Sequence, residues 1–118
     1  MLRIALLLLV AGTAVAAEPE TADPVSVAVA NCESFNTRFV DTFCAATKQK
    51  SGAYRVEIRA GTPDAMRVVF MRSLDVADLI CNAGHKVELV QQLKDADGAH
   101  TVRWAINPKE CGITRLPG

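Results

Sequence analysis

The stretch that most constrains the fold runs from Lys86 to Ile106: two alternating apolar segments joined across Asp95-Ala-Asp-Gly98. Val87, Leu89 and Leu93 fall on one side of a period-two pattern, and Val102, Trp104 and Ile106 do the same after the turn. Asp97-Gly98 is a strong hairpin signal, because a type I′ turn requires positive φ at both central residues. With that pair as the turn, Leu93 faces Val102, Gln91 faces Trp104 and Leu89 faces Ile106. Gln92 and Arg103 then meet on the opposite face, as do Lys94 and Thr101. A slip of one residue would turn every apolar side chain to the wrong side.

The amino terminus constrains location. Arg3 is the only charge before Ile4 to Val10, a near-continuous apolar run, and Ala14-Val15-Ala16 is a small-x-small cleavage site. Residues 1–17 therefore read as a secretory signal peptide, too short to serve comfortably as a membrane span. The mature chain is expected to be exported, periplasmic or secreted, without stable membrane insertion after cleavage. Removing Arg3 from 13 basic residues leaves 12 against 13 acidic, a formal net charge of −1. A near-neutral chain without a basic run gives no electrostatic basis for nucleic-acid binding. Four cysteines in an exported domain of about 100 residues read as two disulfides. No C-x-x-C and no spaced histidine pair suggests a zinc site, and no cofactor motif is present.

Residues 18–24, with two prolines and three acids, read as a disordered lead-in. A single disulfide-bonded domain is expected over 25–112, followed by a tail at 113–118. Val25 to Ala30 alternates β-branched with small residues and looks like a strand. Asn31 or Ser34 then caps a helix through Thr47, with Phe35, Phe39, Phe43 and Ala46 as its apolar stripe. Tyr54 to Ala60 alternates cleanly, with Arg55, Glu57 and Arg59 outward. Gly61-Thr-Pro-Asp64 admits two readings. As a hairpin loop it leads into a strand over Met66 to Met71, pairing Ile58 with Met66 and Val56 with Val68, which is the preferred reading. As a helix start, Thr62 is the N-cap and Pro63 the first position, and Met66, Val69, Phe70, Leu74, Ala77, Ile80 and Cys81 share one face. Val68 and Met71 fall outside that face. Both readings make Asp75 to Ala83 helical, ending at Gly84.

The preferred order is an α+β split β-α-β (ferredoxin-like) arrangement, two helices on one face of an antiparallel sheet, plus a C-terminal edge strand. The helical reading of 62–81 gives β-α-β-α-β-β instead, a thioredoxin-like order. Two cysteines on one helix twelve residues apart cannot meet, which leaves two pairings; on the split β-α-β path the first and last strands end at the same sheet edge, so the expected pairs are Cys32–Cys111 and Cys44–Cys81.

Catalytic signals are weak. His85 and His100 lie near opposite ends of the hairpin, and no G-x-S-x-G or phosphate loop is present. Cys32 at a helix start suggests a thiol-redox enzyme as an alternative function. A small anion held by the arginines is a third possibility, without a pocket visible in the sequence. The leading expectation is a non-catalytic interaction domain that binds a protein partner or itself. Its surface is the open sheet face: Arg55, Arg59, Arg67 and Arg103 around Val69, Met71 and Val90.

Overall fold

The computed structural model describes residues 23–117; the expected signal peptide and residues 18–22 of the lead-in lie outside them. Seven elements follow in the order α1 (Pro24–Arg38), β1 (Thr42–Lys48), β2 (Tyr54–Ala60), α2 (Pro63–Asn82), β3 (Val87–Asp95), β4 (Gly98–Ile106) and β5 (Ile113–Arg115). Among the described residues the class is α+β, with two helices and one five-stranded mixed sheet in the order β1-β2-β3-β4-β5. All neighbours are antiparallel except β2 and β3, which run parallel across the α2 crossover. This order is neither of those expected, because the chain enters the fold through a helix.

Val25 to Ala30 is the first half of α1, not a strand. Asp23 caps it, its carboxylate accepting from the Ser26 N–H at 3.2 Å, and Pro24 sits at the first helical positions. Buried Val25, Ala28, Cys32 and Phe35 recur at helical spacing. That stripe outweighs the strand preference of the valines, since most helical stability comes from packing one face. Asp23 and Pro24 thus belong to the fold rather than to a disordered lead-in.

The Phe35/Phe39/Phe43 stripe is broken after Arg38. Phe39 is extended, Asp41 turns the chain with φ 66°, and the Thr42 hydroxyl donates back to the carbonyls of Phe35 and Phe39. Phe43 therefore belongs to β1. The reversal lays Cys44 against α1, and the pairing follows: Cys32–Cys44 with Cα atoms 5.2 Å apart, and Cys81–Cys111 at 5.8 Å. The expected Cys32–Cys111 and Cys44–Cys81 bonds rested on one helix carrying both Cys32 and Cys44. Once β1 doubles back, the pair with the shortest sequence separation becomes a spatial neighbour.

Residues 63–82 take the helical reading. The Thr62 hydroxyl accepts from the Ala65 N–H at 3.1 Å, and Met66, Val69, Ser73, Val76, Ala77, Ile80 and Cys81 are buried along one face. Gly61-Thr-Pro-Asp64 opens this helix and is no hairpin loop. The β3–β4 hairpin forms with its expected faces, but its register is shifted by two residues: Leu89 pairs with Trp104, Gln91 with Val102 and Asp95 with Gly98. Positive φ falls at Gly98 (115°) and not at Asp97, so the turn is centred on Ala96-Asp97. A two-residue shift preserves side-chain parity, which is why the faces survive it. Trp104 is half-buried beside Phe70, ring centroids 5.5 Å apart, and its indole N–H donates to the Gln91 side chain. Residues 113–115 of the expected tail pair with β4.

Both helices cover one face of the sheet, over Cys44, Ala46, Val56, Ile58, Val87, Leu89 and Ile106. The outer edge of β1 is partly closed by Asn36, whose side-chain amide donates to the Cys44 carbonyl at 3.1 Å and accepts from its N–H at 2.9 Å. This imitates a neighbouring strand and blunts an edge open to pairing. Asn36→Ala should lower stability by about 1–2 kcal/mol through the two lost bonds, seen as a lower urea midpoint at unchanged slope.

Candidate functional site

The open face of the sheet gathers only some of the expected site residues. Arg55 and Arg59 project from β2, Val90 from β3 and Arg103 from β4, on the side opposite the core. Glu88 lies between Arg55 at 3.5 Å and Arg103 at 3.9 Å, and Thr101 donates to Gln92 at 3.2 Å. Val90, expected as an exposed apolar centre, is only 7% accessible among these polar side chains. Glu88 thus bridges two partly exposed arginines, an arrangement that adds little stability.

Arg67, Val69 and Met71 are not on this face. They lie on α2, on the other side of the sheet, because 63–82 is helical. Val69 is fully buried in the core, whereas Met71 is 61% exposed. Met71 lines a groove with Phe35, Phe39, Val68, Arg67, Arg72 and Asp75, at the carboxyl end of α1 and the first half of α2. Phe39, Val68 and the adjacent Val40 are also exposed, at 40%, 47% and 87%.

The groove has a built geometry. Phe35 and Phe39 stack with centroids 4.8 Å apart and an interplanar angle of 25°. The Arg72 guanidinium lies 5.5 Å from the Phe35 centroid, and that of Arg38 lies 5.7 Å from Phe39. These distances are within cation–π range, and a guanidinium held beside a ring can still donate N–H groups to a carboxylate. Asp64 and Asp75 partly offset the charge, pairing with Arg67 at 3.4 Å and Arg72 at 4.0 Å, which leaves three cations against two anions. Phe39, Val40, Val68, Arg38 and Arg72 were not expected here. One signal was present in the sequence: in the helical reading, Val68 and Met71 are apolar residues left off the buried stripe, three apart and so on a common outer face.

A second concavity, of about 460 Å³, lies at the carboxyl ends of the parallel strands β2 and β3. Arg59, Gln92, Lys94, Phe43 and Asp41 line it.

The remaining candidates are not assembled into a reactive site. His85 meets the edge of the Tyr54 ring at 5.1 Å, while His100 pairs with Leu93 toward the other end of the hairpin. Cys32, the alternative nucleophile, is fully buried in its bond to Cys44. Among the described residues, no three His, Cys, Asp or Glu side chains are grouped to hold a metal, and no helix is long and apolar enough to cross a membrane. Comparison with protein-family models, curated proteins and solved structures finds no match.

Proposed function

We propose that the protein is an exported, non-catalytic binding domain that takes up a segment of a partner protein in the α1–α2 groove. The observation that carries this reading is the convergence of Phe39, Val68 and Met71, all exposed, on one groove beside stacked phenyl rings. Monomeric domains rarely leave large apolar side chains clustered in this way unless the surface is used. The cations on the rim support a partner segment with an apolar side chain for the Phe35–Phe39–Met71 floor, flanked by carboxylates for Arg38, Arg67 and Arg72. The two disulfides fit an oxidising compartment. They also favour binding over thiol chemistry, since a reactive cysteine needs an accessible thiolate and Cys32 is buried.

A fluorescein-labelled peptide with a central Leu-Phe pair and two glutamates on each side tests this by fluorescence anisotropy. It should bind saturably, and the same peptide with lysine flanks should not. Met71→Asp should weaken binding by about tenfold or more while leaving the melting temperature within 2–3 °C or so of wild type, because the side chain is largely exposed. Equal affinity for Met71→Asp, or self-association through the groove in place of peptide binding, would contradict the proposal.

A further inference from the structure

The cleft at the carboxyl ends of β2 and β3 is separate from the groove, and nothing in the groove reading requires it. It forms where the chain leaves β2 through Gly61-Thr62 into α2, beside the end of β3. We infer that this cleft is a binding site for a small organic carboxylate with a flat apolar body.

Three observations converge on that class. First, charge: Arg59 and Lys94 line the cleft, and among the described residues neither is engaged in an ion pair. Asp41 is the one carboxylate in the lining, so the cleft carries one net positive charge and matches a monoanion. Second, shape: the Arg59 guanidinium lies 4.0 Å from the centroid of the Phe43 ring. This stacked pair makes a flat wall, and Ala60, Leu93 and Ala99 supply further apolar lining. A volume of about 460 Å³ is within the range of small-molecule sites. Third, the backbone: a phosphate would draw on free N–H groups at the turn into α2. Those of Gly61, Ala65 and Met66 already donate to Asp41 O, Thr62 Oγ1 and Thr62 O. With those donors engaged and Pro63 lacking an N–H, the Arg59 and Lys94 side chains are the cationic donors lining the cleft, and they offer charge-assisted hydrogen bonds to a carboxylate.

Asp41 gives the site a testable sign. It turns the chain into β1 with φ 66°, a conformation asparagine also tolerates, so Asp41→Asn preserves the turn while removing the opposing charge. Titration of the whole isotopically labelled protein with sodium benzoate, followed by amide chemical shifts, should give saturable changes at Gly61, Gln92 and Lys94. Benzamide should bind about tenfold or more weakly, because it lacks the charge that the cations recognise. Lys94→Gln, at an exposed position, should weaken benzoate binding several-fold, and Asp41→Asn should strengthen it. Equal binding of benzamide, tighter binding of inorganic phosphate, indifference to Lys94→Gln, or weakening by Asp41→Asn would each overturn the assignment.

Discussion

Replacing Cys32 and Cys44 together by alanine should cost the domain about 3 kcal/mol or more, a large part of its stability. The bond closes a loop with a sequence separation of 12, for which chain entropy alone gives about 3 kcal/mol. Both cysteines are fully buried, so the double variant also loses packing where α1 meets β1. A domain of this size has about 5–15 kcal/mol in total. The Cys81–Cys111 bond encloses a longer segment, of separation 30, but Cys111 is partly exposed. Accessibility governs attack by a reducing thiolate, so mild reductant should open Cys81–Cys111 first. Thiol alkylation at rising dithiothreitol, read by peptide mass spectrometry, should show Cys81 and Cys111 labelled before Cys32 and Cys44. The reverse order would mean that the α1–β1 junction is looser than the structure shows.

Ile58→Ala should be the most damaging single core substitution of those considered, at about 3–4 kcal/mol. Ile58 is fully buried in β2, paired with Cys44 on one side and Gln91 on the other, under the helical layer. Removing its three outer carbons leaves a cavity that strands on both sides prevent from collapsing. Urea denaturation should show a lower midpoint with the slope preserved. Val69→Ala should also destabilise, by about 1–3 kcal/mol, because this side chain is core and not the exposed strip that its sequence position suggested. Met71→Ala, by contrast, should change stability by no more than about 0.5 kcal/mol. The difference between these two neighbours on one helix separates a packed face from an available one.

Much of the sheet was legible because alternation reports faces directly. The β2 segment, the two faces of the β3–β4 hairpin and the end of α2 all followed from periodicity, and they stand as expected. Periodicity is insensitive to a two-residue shift, so it missed the hairpin register; Gly98 marked a positive φ, but not which turn would use it. The first helix was harder to see. Val25-Ser-Val-Ala-Val-Ala30 satisfies a strand pattern, and the deciding signals lay just outside it, in the Asp23 cap and Pro24. That misreading propagated. A strand over 25–30 puts Cys32 and Cys44 on one helix, excludes their bond and makes the Phe39–Val40 turn a helix interior. The hairpin reading of Gly61-Thr-Pro-Asp64 separately puts Val69 and Met71 on an open sheet face and Val68 on the core side, whereas Val69 is core and Val68 and Met71 lie on the outer side of α2 beside Phe39. The groove is a product of two helices meeting, and no single segment of sequence contains it.

We propose the α1–α2 groove as the working surface. Its most direct test is to titrate the isotopically labelled protein with the glutamate-flanked Leu-Phe peptide and map the amide shifts. The groove predicts saturable changes centred on Phe39, Val68, Met71 and Arg72, with the open face around Glu88 and Arg103 undisturbed. Shifts centred on Arg55, Glu88 and Arg103, or no saturable change at millimolar peptide, would contradict it.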